Sequence, residues 1–293
     1  MRWQMGRRSQ NVEDRRGMGP AGMGRGARAG GIGGAGILVL ALIAMLFGVN
    51  PMAILGGIQD LGFDQTSSAP PPSGKAPSAD DQSGQFVSAV LAQTEDTWDD
   101  IFSQAGQTYR KPTLVLFDGA VQSACGMAGS ATGPFYCPAD QKVYLDTSFF
   151  RELDQKFGAP GDFAAAYVIA HEVGHHVQTL LGISQEVTRL RQRSDEATAN
   201  RLSVMMELQA DCFAGVWARH LHDNQGILEE GDIEEGMAAA SAVGDDRIQK
   251  STRGYVVPDA FTHGSSQQRM RWFRQGLQSG DMNTCDTFNA AQL

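Results

Sequence analysis

The sequence predicts an α+β fold that is mostly helical with a small sheet, preceded by a single transmembrane helix. Two short segments, residues 111–119 and 141–146, are rich in β-forming residues and bounded by turn formers. From residue 146 onward most of the chain shows helical spacing of apolar residues. Strands followed by a run of helices are typical of the α+β class. A long apolar stretch near the N-terminus predicts the membrane segment.

The composition indicates one sizeable globular domain with extensions. The 293 residues are 42% apolar and 19% charged, and 35 of them are glycine. Residues 1–35 hold seven arginines against one glutamate and one aspartate, a net charge of +5. Because the whole chain carries −9, the remaining residues carry −14. An acidic body argues against a nucleic-acid partner.

Between Arg28 and Asp60 the chain has no charged residue. This stretch exceeds the roughly 20 residues that a helix needs to cross the hydrocarbon layer. Its apolar centre is also short enough for a signal peptide. The long basic region before it and the lack of a clean cleavage site favour an uncleaved signal anchor over residues 36–58. The arginines predict a cytoplasmic tail over residues 1–35, hence a single-pass inner-membrane protein with a periplasmic domain.

A Pro/Ser-rich stretch over residues 59–84 predicts a linker, because it has no apolar periodicity from which a core could form. The globular domain is then expected over residues 85–293. Apolar periodicity and capping residues predict its helices, with a break at residues 193–200, the polar part of the third one. These helices cover residues 146–158, 162–182, 184–224, 233–248 and 265–277.

Four cysteines, all after the apolar stretch, indicate disulfide bonds if the domain lies in an oxidising compartment. Cys125 and Cys137 flank a glycine-rich loop that a local bridge would close. Cys212 and Cys285 remain as the second pair. The alternative is four buried free thiols.

The segment AYVIAHEVGHHVQTL, residues 166–180, places three of the six histidines in an apolar helix. His171 and His175 stand four residues apart, so both rings can reach a single cation from one helix face. Glu172 lies beside that position rather than on it. In this HExxH arrangement two neutral imidazoles bind Zn²⁺, and the carboxylate takes a proton from the water that attacks a carbonyl. The alternative is histidines hydrogen-bonded within a core.

A catalytic zinc ion takes three protein ligands, so one more is required. The extended motif HExxHxxGxxH is not met, because Gln178 and Leu181 occupy its glycine and histidine positions. The later segment MMELQADCFAG offers Glu207 and Asp211, again four residues apart. Glu207 is predicted as the ligand and Asp211 as the acceptor for an imidazole N–H. Exchanged roles and an exposed acidic pair are the alternatives.

Several motifs together resemble one known family. They are NVEDRRG, YCPADQKVYLD, AHEVGHHVQ, ELQADCFAGVW and FTHGSSQQRMRWF. With the apolar N-terminal stretch they resemble the bacterial neutral zinc metallopeptidases over nearly the whole chain outside the linker. The resemblance implies a zincin-like domain of the gluzincin type, with HExxH and a downstream ExxxD. It implies zinc ligands at His171, His175 and Glu207, and a catalytic role for Glu172.

The same resemblance points to His263, just before the last predicted helix. Related peptidases have a histidine in a similar context that stabilises the oxyanion of the tetrahedral intermediate. A structural or surface role is the alternative for His263, and Arg269 on that helix can equally be structural. His176 is expected to lie off the ligand face, in the core or beside a ligand.

Two function classes follow from the sequence. The favoured one is a membrane-anchored zinc endopeptidase, whose protein or peptide substrate adds as an extended chain to an edge strand at residues 142–146. The alternative is a zinc-stabilised, non-proteolytic binding or chaperone module of the cell envelope. Glu172 favours the enzyme, as does the lack of a fourth His or Cys ligand at an obvious spacing.

Overall fold

The computed structural model describes residues 1–18 and 74–293. This part of the chain forms eight α-helices, six strands and three one-turn 3-10 helices. The helices are α1 (Gln82–Gln104), α2 (Phe149–Gln155), α3 (Asp162–Leu180), α4 (Ile183–Arg191), α5 (Glu196–Gln225), α6 (Asp232–Ala242), α7 (Asp245–Arg253) and α8 (Ser266–Ser279). The strands are β1 (Val12–Asp14), β2 (Thr113–Phe117), β3 (Ala120–Ser123), β4 (Gly126–Gly129), β5 (Phe135–Cys137) and β6 (Lys142–Asp146).

The predicted membrane topology is wrong. Among residues 1–18 and 74–293, no helix is long and apolar enough to cross a membrane, and the predicted span, residues 36–58, lies outside them. Residues 1–18 belong to the same compact unit as the helices, since Val12 of β1 pairs in parallel with Leu114 of β2. A cytoplasmic tail and a periplasmic domain cannot share a sheet. The fold is mostly helical with small sheets, and the predicted membrane location is corrected with it.

Basic residues of the N-terminal segment pair with acids of the domain. Arg7 Nη2 donates to Glu95 Oε2 at 2.8 Å and to Asp96 Oδ1 at 2.6 Å. Glu95, only 1% exposed, also accepts hydrogen bonds from Ser9 Oγ and Asn11 Nδ2. Among the arginines that predicted a topology signal, Arg7, Arg15 and Arg16 thus pair with carboxylates of the folded unit.

The four-stranded sheet has the order β1-β2-β6-β5, in which β5 runs antiparallel to β6 and the other pairs are parallel. Strands β3 and β4 form a separate antiparallel hairpin. Because β6 lies between β2 and β5, the predicted edge strand at residues 142–146 is internal. In the described residues, β5 is the edge on that side.

Helix α3 lies in the core and packs against both α5 and α6. It begins at Asp162 and ends before Gly182, whose φ of 78° requires the left-handed conformation. Gly174 lets α3 approach α5 closely, since a Cβ there would lie 3.1 Å from the Ala210 Cα. This close approach brings the histidine face of α3 against the turn of α5 that carries Glu207.

Helix α8 crosses α5 at close range, and its side chains also contact α3. It begins at a capping box, in which Ser265 Oγ accepts from the Gln268 N–H and Gln268 Oε1 accepts from the Ser265 N–H. Gly276 allows the crossing, because a Cβ at this position would overlap the Cys212 carbonyl oxygen. The crossing positions Arg269 of α8 beside α5.

The predicted disulfide pairing is confirmed. Cys125 is bonded to Cys137, and Cys212 is bonded to Cys285. The first bond holds the end of β5, while the second ties α5 to the 3-10 helix Met282–Cys285 after α8. Disulfides are typical of proteins in oxidising compartments, so these bonds favour an extracytoplasmic location for the folded unit.

Removing the Cys212–Cys285 bond is expected to lower the free energy of unfolding more than removing the Cys125–Cys137 bond. The bonded cysteines are 73 and 12 residues apart, for which chain entropy gives roughly 4 and 3 kcal/mol. Denaturant unfolding of the two Cys→Ala double variants would measure both losses. A larger loss for the Cys125–Cys137 variant would show that loop length is not what decides them.

Candidate metal centre

Two histidines of α3 and one glutamate of α5 converge in the structure. His171 Nε2 lies 3.2 Å from Glu207 Oε2, and His175 Nε2 lies 3.4 Å from Glu207 Oε1. One ligand atom from each of the three residues can be chosen so that all lie within 4.8 Å of one another. Two imidazole nitrogens and a carboxylate oxygen are a donor set that fits zinc. The i, i+4 spacing on α3 and the close approach at Gly174 produce this arrangement.

Each imidazole is also held from its other nitrogen. His171 Nδ1 lies 2.8 Å from Asp211 Oδ1, and His175 Nδ1 lies 2.8 Å from Gln178 Oε1. Both partners can only accept at these oxygens, so each Nδ1 carries the hydrogen and Nε2 is the nitrogen that faces Glu207. Metal-binding histidines usually have such a partner on the ring nitrogen away from the metal. The cluster therefore has the orientation that a metal site requires.

Asp211 is buried with its charge compensated. Arg269 donates to it twice, from Nε to Oδ2 and from Nη2 to Oδ1, each at 2.8 Å. The Tyr167 hydroxyl donates to Oδ1 as well. Burial alone would raise the pKa of Asp211, but Arg269 and His171 outweigh it and lower this pKa below its ordinary value. Asp211 thus stays ionised and holds the His171 ring in one orientation.

The carboxylates of Glu207 and Asp211 favour positive charge on the groups beside them. Burial opposes a charged imidazole, yet Asp211 and Glu207 outweigh it and raise the pKa of His171 to about 10. Burial also opposes an ionised Glu207, but His175 and His171 hold the pKa of this carboxyl well below its usual range. A divalent cation bound to the same three side chains would supply that charge and release the histidine protons.

The three side chains line a cavity of about 800 Å³. Glu172, next to His171 in the chain and 8% exposed, lines the same cavity. Ser130 and residues 132–136 before and within β5 border it, as do six residues of α6, α7 and the turn between them: Ala242, Val243, Arg247, Ile248, Ser251 and Thr252. The cluster therefore opens into this cavity, and Glu172 borders the cavity together with the three side chains.

His263 lies in the loop before α8 and borders the same cavity. Its Nδ1 is 3.1 Å from Asp245 Oδ1, and its backbone N–H donates to Asp245 Oδ2 at 2.6 Å. The hydrogen bond to Asp245 outweighs burial and raises the pKa of His263. Because Asp245 occupies Nδ1, Nε2 is the ring nitrogen available for another contact.

The structure brings together every residue predicted for the site, including Asp211 and His263. Sequence reasoning missed Tyr167, Gln178 and Asp245, and it left the role of Arg269 open. Tyr167 stands four residues before His171 and Gln178 three residues after His175, so helical spacing could have indicated both. Asp245 has no such signal, because it reaches the site from another element.

Comparisons with known proteins identify the family of the chain. A sequence model of the family described as "Putative neutral zinc metallopeptidase" matches residues 1–288. The chain is 50% identical over 291 residues to "Uncharacterized protein YpfJ" of Escherichia coli (strain K12), across 98% of this chain and 99% of that protein. It is 45% identical over 219 residues to "Uncharacterized protein Rv2575" of Mycobacterium tuberculosis (strain H37Rv), across 71% of this chain and 73% of that protein. No solved structure matches the chain.

The family match extends over the N-terminal segment, the HExxH helix and the helix with Glu207 and Asp211. The zinc in the family name agrees with the imidazole and carboxylate donors of the cluster. The family model covers nearly the whole chain, and the relatives share about half of its residues. The chain therefore belongs to the neutral zinc metallopeptidase family.

Proposed function

We propose that the chain is a zinc-dependent endopeptidase in which His171, His175 and Glu207 bind zinc and Glu172 is the general base. One observation supports the proposal most strongly. The three donor side chains converge at the wall of an open cavity, and Glu172 lines the same cavity. A bound zinc ion lowers the pKa of water and polarises a peptide carbonyl.

The surrounding residues keep the ligands ready to bind. Asp211 accepts the Nδ1–H of His171, and Gln178 accepts that of His175, so both Nε2 lone pairs point to one place. Arg269 neutralises Asp211 without reaching hydrogen-bonding distance of Glu207, whose Oε2 lies 3.9 Å from its Nη2. Arg269 is thus a positioning residue that acts on the His171 ring both through Asp211 and directly, since its Nη2 lies 3.2 Å from His171 Nδ1.

Two residues supply the proton chemistry. Glu172 accepts the proton of the attacking water, as a carboxylate beside the reacting atoms can do. His263, whose raised pKa favours the charged ring, donates a hydrogen bond from Nε2 to the oxyanion that develops on the substrate carbonyl. Asp245 keeps the His263 ring in that orientation.

The cavity supports a peptide substrate with bulky apolar side chains. Aromatic and aliphatic side chains line much of its wall; they include Phe149, Phe157, Val168, Val243 and Ile248. Such side chains of a substrate are more exposed in an unfolded or extended protein than in a folded one. The open cavity also argues against a purely structural zinc site, which would have four protein ligands and no access.

Metal removal tests the proposal. The purified protein is expected to carry about one zinc atom per chain and to cleave a reduced, alkylated protein such as carboxymethylated lactalbumin. A chelator should abolish cleavage, and added zinc should restore it, whereas added magnesium should not. Cleavage that survives complete removal of zinc would contradict the proposal.

A further inference from the structure

His176, the third histidine of the HEVGHH motif, forms hydrogen bonds that connect α3 to β5 and to the segment before β2. His176 is 1% exposed; its Nε2 lies 2.6 Å from the Arg110 carbonyl oxygen, just before β2. Its Nδ1 lies 3.1 Å from the Tyr136 hydroxyl in β5. A carbonyl oxygen only accepts, so Nε2 carries the hydrogen and Nδ1 accepts the Tyr136 O–H. One side chain of α3 therefore contacts both β5 and the residues that lead into β2.

Strand β5 borders the cavity of the metal centre. Phe135 and Tyr136 line it together with His171 and His175. One side of β5 pairs with β6, and within the described residues no strand pairs with its other side. Backbone N–H and C=O groups at such an edge can pair with an extended peptide. The Cys125–Cys137 bond further fixes the end of this strand.

We infer that the Tyr136–His176 hydrogen bond holds β5 in position at the wall of the cavity, where the free edge of this strand pairs with the substrate backbone. This inference rests on the proposed peptidase function. His176 follows the ligand His175 directly, so one turn of α3 positions both the metal and the strand that holds the substrate. Without this hydrogen bond β5 would be held less firmly, and its pairing with the substrate backbone would weaken equally in the ground state and in the transition state, which raises KM and leaves kcat unchanged. Tyr136 and His176 are positioning residues, since they act on the substrate through the strand.

Tyr136→Phe removes the hydroxyl and leaves the ring in place. With a fluorogenic peptide taken from a site cleaved in the unfolded protein, KM should rise about 3- to 10-fold, as for one lost hydrogen bond, while kcat stays within about two-fold. Zinc content should not change. A merely structural hydroxyl would lower thermal stability and leave KM as it was.

Tyr109→Phe is the matched control. The Tyr109 ring packs on the same imidazole at 5.8 Å between centroids, and its buried hydroxyl has no hydrogen-bond partner among the described residues. Loss of this hydroxyl should leave both KM and kcat unchanged. A rise in KM for Tyr109→Phe equal to that for Tyr136→Phe would assign the effect to ring packing and overturn the inference.

The same bond can be removed from its other end. In His176→Gln the amide nitrogen takes the place of the ring Nε2 as donor to the Arg110 carbonyl, and the side chain then has no acceptor at the position of Nδ1, which accepts from Tyr136 in the wild type. KM should rise as in Tyr136→Phe, and the double variant should be no worse than either single variant. Additive effects, an unchanged KM or a loss of zinc in Tyr136→Phe would overturn the inference while the wild type still cleaves. Failure of the wild type to cleave would instead overturn the proposed function, and this inference with it.

Discussion

Glu207→Ala is expected to give a folded protein that purifies without zinc. The carboxylate contacts both Nε2 atoms, at 3.2 and 3.4 Å, and two imidazoles alone are an incomplete ligand set. Zinc affinity should therefore fall by more than the roughly 10- to 100-fold typical of losing an outer partner of a ligand. Metal content per chain and competition with a chromophoric chelator would measure this loss.

Asp211→Asn is the graded control for Glu207→Ala. It keeps the size of the side chain, but the buried Arg269 loses the charge of its partner. Zinc should bind about 10- to 100-fold more weakly. Breaking a buried ion pair from one side should also lower the free energy of unfolding by about 3–5 kcal/mol. If Glu207→Ala kept its full zinc content while Asp211→Asn lost zinc, the assigned roles would be exchanged: Asp211 would be the zinc ligand and Glu207 the acceptor for an imidazole N–H.

Most helices after residue 146 could be predicted from local sequence, because capping residues and apolar spacing act over short distances. Helix α1 (Gln82–Gln104) was not predicted, and the helix predicted over residues 233–248 is observed as two helices, α6 and α7. The HExxH helix was predicted over residues 162–182 and is observed as Asp162–Leu180. The break predicted within residues 193–200 is real: α4 ends at Arg191, and Asp195 caps α5 by accepting the Thr198 N–H. Strand pairing was not predictable, since β1 joins β2 across some hundred residues.

Large sequence separation between paired residues also explains why the membrane topology predicted for the N-terminus is wrong. Arginines before an apolar stretch are typical of a signal anchor, and nothing in the local sequence distinguishes that reading from pairing within the fold. The partner of Arg7, Glu95, lies 88 residues further along the chain. Contacts of this kind become visible only when the chain is folded.

The site could be predicted as far as helical spacing extends. One helix face carries both His171 and His175, and another carries both Glu207 and Asp211. Because both pairs have i, i+4 spacing, the sequence alone predicts that each pair acts at one place. The contact of Asp245 with His263 joins separate elements and has no local pattern. The same is true of His176, whose role depends on a tyrosine 40 residues away in β5.

Glu172→Gln is expected to separate metal binding from catalysis. The substitution leaves all three zinc ligands and their partners in place, so zinc content and folding should match those of the wild type. The amide cannot accept the proton of the attacking water. Peptide hydrolysis should therefore fall by the roughly 10²- to 10⁴-fold typical of a lost general base. A zinc-stabilised chaperone or binding module would be insensitive to this change.

The most direct measurement is the rate of peptide-bond cleavage per bound zinc in wild type and Glu172→Gln, on the same unfolded protein and with metal content determined in parallel. We predict equal zinc in both proteins and cleavage at least about 10²-fold slower in the variant. Equal cleavage rates at equal zinc content would contradict the assignment of Glu172 as the general base, and with it the peptidase mechanism.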